Sequence, residues 1–279
     1  MGAALALGLV EDGVLSLDDP IERWLPEAAS PRVLVSRDAP LDRTVPAERP
    51  VTVRMLLALT SGWGAVFERT PLQAAMQERR VDPPGPPREM TAETFVSALC
   101  SLPLAFQPGE GWLYDSGLSL LGVLLERATG RPLPELFAER ISGPLGMAST
   151  AFEPGHAFAR LNAGLASTAG DVLRFFTAMA DGGAPGPLTT PALTAAQRED
   201  ALAVVGPGAS WALGAAVDVE AAEPWMAPGR WGWSGGSGTT AWVDPVRDTV
   251  AVLLTQRQMT GPMDGPKGFW TAVAEAARE

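Results

Sequence analysis

The sequence predicts an α+β fold on two observations. From about residue 14 to 200, apolar residues recur at helical spacing behind capping residues. Near the C-terminus, "TTAWVDPVRDTVAVLLTQR" reads as two strands around a turn at Asp244-Pro245. Helices followed by an antiparallel sheet form an α+β arrangement. We expect one domain over residues 1–279, with a helical part at roughly 14–200, a sheet completed by roughly 210–256 and a closing helix at roughly 268–278.

Each element has a local reason. Residues 2 to 11 are apolar on nearly every side, which suits a helix buried all round, with Gly13 as its stop. In "DDPIERWL", Asp19 is expected to cap a short helix, with Pro20 at its first position and Glu22 bonding back to the cap. Residues 29 to 50 read as loop, and "VTVRMLLALTSG" as a helix over roughly 52–59. After the Pro-rich "RVDPPGPPREM", Thr91 caps a helix to about Leu102, and Pro103 and Pro108 force a loop.

From Gly117 to Thr129, six apolar residues between Leu118 and Leu125 fit a core-facing helix that Gly130 caps; "LPELFAERI" adds another. Thr168 and Asp171 have capping-box spacing at the head of a helix of about 13 residues, and "TPALTAAQRE" opens the next in the same way. "GFWTAVAEAARE" closes the chain as an amphipathic helix.

Composition excludes several classes. The chain has 21 basic and 32 acidic residues, a formal charge of -11, and no stretch that gathers Lys and Arg into a phosphate-neutralising stripe, which argues against nucleic acid as a partner. Cys100 is the single cysteine, so no internal disulfide or cysteine-held zinc site can form, and the redox compartment stays open. The N-terminal apolar run lacks a basic flank and the length of a membrane span, so neither a signal peptide nor a span is expected and the cytoplasm is the default address.

"GWSGG", around Ser234, fits the G-x-S-x-G elbow of α/β-hydrolases, which needs a helix directly after the serine and a histidine later in the chain. Strand-like residues follow Gly238, and the sole histidine, His156, lies upstream, so the match reads as coincidence in a glycine-rich turn.

Four segments point elsewhere: "EDGVLSLDDPIERWLPE", "VTVRMLLALTSG", "FQPGEGWLYDSGLSLLGVLLERATGRPL" with "ISGPLGM", and "LASTAGDVLRFFTAMADGG". Together they resemble the serine β-lactamase and penicillin-binding-protein superfamily, in detail its class C β-lactamase and esterase branch. The resemblance runs from about residue 3 to the C-terminus. It implies a β-lactamase-like fold, an antiparallel sheet flanked by helices plus a mostly helical subdomain, and a mechanism without cofactor or metal.

On that resemblance "WLYDS" matches the Y-x-N element. Tyr114 becomes the candidate general base, a phenol that nearby positive charge must lower from about 10. Ser116 takes the Asn position as a substrate-binding residue. "WSG" matches K-T-G, which makes Trp233, Ser234 and Gly235 substrate-binding residues and Gly236 the donor of an oxyanion-hole N–H. Read without the family, Tyr114 is an ordinary half-buried tyrosine, Asp115 a polar loop residue and the glycines a hairpin turn.

The family's S-x-x-K nucleophile element is absent from these residues: the one lysine, Lys267, has Asp264 three places before it. The resemblance places that element just before Met1, together with strands that pair with residues 249–255, whose absence would expose a hydrophobic sheet edge. The expectation is a serine hydrolase represented without its nucleophile and inactive alone; the alternative is a non-catalytic binding or interaction module with the same fold. Trp233 in place of the K-T-G lysine favours small neutral esters or amides with an apolar portion over anionic penicillins. Oligomeric state and natural substrate are not legible.

Overall fold

The expected first helix is present as α1 (Gly2–Glu11) in a computed structural model that describes residues 1–82 and 85–277. Six of its residues, Ala3 to Leu7 and Leu9, are buried, and Gly13 turns the chain with a φ of 72° that glycine adopts without a Cβ clash. The Asp19 cap does not form. Pro20 is extended and bridges Thr52, so only two short 3₁₀ turns, Ile21–Arg23 and Pro26–Ala28, follow, and the Asp19 carboxylate accepts from the Ser16 N–H at 2.8 Å instead. Residues 29–50 are not all loop either, because β1 (Arg32–Leu34) and β2 (Thr44–Pro46) form a two-stranded antiparallel ladder.

Threonine caps set the helix starts. Thr52 caps α2 (Val53–Ala58), Thr70 caps α3 (Pro71–Glu78) with Pro71 at the first position, and Thr91 caps α4 (Ala92–Cys100). The long helix α5 (Ser116–Thr129) ends at Gly130 in the left-handed region and packs on α2, where a side chain at Gly117 would stand 2.9 Å from the Leu56 carbonyl oxygen. The short α6 (Leu133–Phe137) continues into a π turn. Next comes the two-stranded pair β3 (Ala151–Phe152) and β4 (Leu165–Ala166).

Thr168 caps α7 (Ala169–Ala178), but the expected box is only half made: Asp171 turns away from the cap to accept from the Ser149 N–H, the Thr150 hydroxyl and Arg174. The helix stops after ten residues, in a π turn broken at Asp181 and at Gly182, whose φ is 95°. After α8 (Gly186–Thr189), the capping box of α9 (Ala195–Val205) is complete, with Thr194 and Gln197 each bonding the other's backbone.

The sheet is built from β5 (Ala209–Trp211), β6 (Ala216–Asp218), β7 (Trp231–Ser234), β8 (Thr240–Asp244) and β9 (Thr249–Leu253), in that order and antiparallel throughout. Side chains alternate across it. Trp231 on β7 meets Phe176 of α7, while Trp242 on β8, opposite Gly232, faces the other way to Trp270 of α10 (Lys267–Ala276). The expected end of that helix at 278 lies outside the described residues. Strand β9 stands at the sheet edge with its five residues half-buried and α7 against it. Among the described residues no helix is long and apolar enough to cross a membrane.

Gly232 is required by packing. A Cβ there would lie 2.3 Å from the Ala241 carbonyl oxygen and 2.7 Å from the Trp242 Cα, both backbone atoms of β8 that cannot yield without breaking the ladder. Gly232→Ala is expected to destabilise the chain by about 3 kcal/mol, the upper range for overpacking, as read by urea unfolding.

Candidate active site

Tyr114 is held by two hydrogen bonds at its backbone carbonyl. Its carbonyl accepts from the Ala65 N–H at 2.8 Å and from the Ser116 N–H at 3.2 Å. The second bond closes a three-residue turn around Asp115, whose φ of 81° and ψ of -70° are those of the rare positive-φ γ-turn. Such a conformation costs about 1–3 kcal/mol and persists only when its surroundings enforce it. Here a hydrogen bond from the Asn162 amide to the Asp115 carboxylate enforces it, and the Ser119 hydroxyl holds the Asn162 oxygen at 2.8 Å. Burial raises the Asp115 pKa, opposed by the Asn162 hydrogen bond and the charge of Arg160. Asp115 is thus an anchor of the turn that presents Tyr114, a role its sequence neighbourhood does not reveal.

The phenol points at β7. Its oxygen accepts from the Trp233 indole N–H at 2.9 Å, and the two rings lie 5.4 Å apart. Trp211 stands edge-on to both, at 6.4 Å from Tyr114 and 5.0 Å from Trp233, and Trp112 stacks on Tyr114 at 6.1 Å. Trp211 is fixed in turn by its N–H, which donates to the Leu57 carbonyl at 3.0 Å. Trp112 and Trp211 were not among the expected site residues; the "W-L-Y" spacing placed the first beside Tyr114, whereas only the fold brings in the second.

The expected lowering of the Tyr114 phenol is not met by the groups around it. Burial pushes its pKa up, the neighbouring Asp115 carboxylate pushes it further, and the Trp233 hydrogen bond opposes them only in part. Within these residues the phenol is a proton holder at neutral pH, and a cation would have to be brought close for it to act as a base.

The remaining expected residues divide between the faces of β7. Trp233 turns toward Tyr114. Ser234 turns to the opposite face, where its hydroxyl lies 2.7 Å from that of Thr240 and accepts from the Trp242 indole at 3.4 Å. Gly235 donates its N–H to the Thr239 carbonyl at 2.8 Å and so closes the β7–β8 hairpin. Gly236 is exposed at the tip, with open space where a Cβ would stand, and its carbonyl accepts from the Met259 N–H. No backbone carbonyl among the described residues accepts from the Gly236 N–H. Ser116 is the buried first residue of α5. A strand, β8, and no helix follows Ser234, so the elbow geometry is absent; His156 sits in a loop with its Nε2 4.0 Å from Glu153.

A five-stranded antiparallel sheet with helices on both faces, and a helix-start tyrosine facing its central strand, define a β-lactamase-like α+β protein. The family model described as Beta-lactamase matches residues 1–275, and the chain belongs to that family of serine hydrolases and acyltransferases. Protein Rv1367c of Mycobacterium tuberculosis is 32% identical over 91% of this chain and 74% of its own length. Lovastatin esterase of Penicillium rubens is 38% identical and esterase EstB of Burkholderia gladioli 36% identical. Each matches about half of this chain, 53% and 54%, and about a third of its own length, 36% and 35%. Among solved structures, EstCE1, a hydrolase with promiscuous acyltransferase activity, aligns with a TM-score of 0.79 at 21% identity over 100% of this chain and 82% of its own. Unliganded simvastatin synthase of Aspergillus terreus aligns at 0.77 and 23% over 99% and 81%.

Proposed function

We propose that these residues form one wall of an acyl-transfer site for small neutral esters or amides, with Tyr114 exchanging a proton between nucleophile and leaving group. The observation that carries the reading is the 2.9 Å hydrogen bond between the Tyr114 phenol and Trp233 of β7. The serine and lysine of S-x-x-K are not among the 279 residues, so this wall alone forms no acyl-enzyme. When such a lysine stands beside Tyr114, its positive charge supplies what the present neighbours lack and draws the phenol down toward a working pKa. In this reading the Gly236 N–H donates to the oxyanion and Trp233 and Gly235 line the substrate, while Ser234, turned to the far face of β7, and the buried Ser116 do not reach the phenol.

Trp233 supports the substrate class. Its indole offers a flat apolar surface where a lysine would attract a carboxylate, and the charge of -11 raises no local concentration of anions. To test this, the chain is fused to the S-x-x-K-bearing N-terminal segment of a relative and assayed with two substrates. Hydrolysis of p-nitrophenyl butyrate is expected to exceed that of nitrocefin; the reverse order contradicts the assignment. The direct Trp233 donation to the phenol also favours a second reading, a binding module whose pocket is closed by that contact, and a fused chain without esterase activity would support it.

A further inference from the structure

Next to the acyl-transfer wall lies a buried arginine that the acyl-transfer reading does not use. Arg230, immediately before β7, is 3% exposed, and its guanidinium sits between two indoles, 4.1 Å from the Trp242 ring and 4.5 Å from the Trp270 ring. Its Nη1 donates to the Asp218 carboxylate at 3.3 Å. Its Nη2 is buried and has no hydrogen-bond partner among the described residues. A desolvated guanidinium donor left unmatched is costly, and native structures satisfy such groups with few exceptions.

The same arginine lines a solvent-open cleft of about 120 Å³, between β7 and the start of α10. Trp225, Trp270, Met226 and Met263 give the cleft apolar walls. Its other cation, Lys267, is engaged by Glu223 at 3.6 Å at the rim. Apolar walls beside a buried arginine that keeps one unmatched donor are complementary to a molecule with an apolar body and a single anionic end.

We propose that this cleft binds an amphipathic monocarboxylate, its apolar body against Trp225, Trp270 and Met263 and its carboxylate accepting from Nη2 of Arg230. The guanidinium then bridges two carboxylates, the ligand's on Nη2 and that of Asp218 on Nη1. Planar, forked donors make arginine suited to this arrangement, and the flanking indoles hold the fork in plane. The cleft shares Trp233 and Ser234 with the acyl-transfer wall, but the contact to Arg230 plays no part in acyl transfer and its test needs no turnover.

Calorimetric titration of the 279-residue chain with 3-phenylpropionate and with its neutral amide, 3-phenylpropionamide, separates the charge from the body. The acid is expected to bind at least about tenfold more tightly, as a charge-assisted hydrogen bond implies. Substituting Arg230→Met together with Asp218→Asn removes both charges and leaves neither buried alone; it should bring the acid down to the affinity of the amide. Met263→Trp, at a side chain 47% exposed in the cleft wall, tests occupancy without touching the core and should weaken both ligands. Equal affinity for acid and amide, or binding of the acid that either variant leaves unchanged, would overturn the proposal.

Discussion

Truncating Trp211 to alanine is expected to cost the fold about 3–5 kcal/mol, the range for removing a large buried aromatic. The side chain is 2% exposed and touches Trp112, Tyr114 and Trp233 together, so the loss opens a cavity behind both the phenol and the strand it faces. The Leu57 carbonyl at the end of α2 also loses the indole donor at 3.0 Å. Trp211→Phe separates the two contributions. It keeps most of the ring volume but removes the hydrogen bond and the rest of the indole, so it should recover the larger part of the stability and leave a deficit of about 1–3 kcal/mol. Urea unfolding of the two variants reads the difference, with unchanged m-values as the sign that only the native state was altered. Equal stability of Trp211→Ala and the parent chain would show that the aromatic cluster is not part of the core.

The second large effect is on Tyr114 itself. It is the only tyrosine in the chain, so phenolate absorbance during alkaline titration reports this one group without substitution elsewhere. Burial and the Asp115 carboxylate hold the phenol above its ordinary value, and the native chain should therefore ionise later than a free phenol, which titrates near about 10. The sign for stability follows. The folded chain keeps the proton that the unfolded chain releases first, so the contribution is intact below about 10 and is lost as pH rises past it. Trp233→Lys replaces the indole donor with an ammonium next to the phenol and should bring its ionisation back to, or below, the ordinary range. If Tyr114 in the parent chain titrates like a free phenol, the packing described around it is wrong.

What could be read from the residues alone is mostly what local chemistry decides. The threonine caps at Thr52, Thr91 and Thr194 satisfy helix N–H groups within three residues, Gly130 takes a left-handed turn only glycine adopts cheaply, and the β8–β9 pair alternates around a proline turn. Such signals carry their own physics. Asp19 and Asp171 misled because each carboxylate had a partner outside its helix start: the Ser16 N–H for one, Ser149, Thr150 and Arg174 for the other. A cap is a competition among donors, and distant donors are invisible in sequence. The pairing of Tyr114 with Trp233 followed from motif order, but its geometry required the alternation of β7, which sends Ser234 to the far face. Asp115 and Arg230 were missed for one reason. Their significance lies in the groups that surround them in space, Asn162 and Ser119 in one case, Asp218, Trp242 and Trp270 in the other.

We propose that Tyr114 and the strand at Trp233 form the proton-handling wall of a serine acyl-transfer site whose nucleophile is not among these 279 residues. Fluorophosphonate labelling measures this directly, since the probe forms a bond only with an activated serine. The 279-residue chain is expected to take up no label. The chain fused to an S-x-x-K segment should take up one label per molecule, at a rate that Tyr114→Phe lowers by about 10²–10⁴. Stoichiometric labelling of the 279-residue chain, or a fused chain whose labelling rate Tyr114→Phe leaves unchanged, would contradict the account.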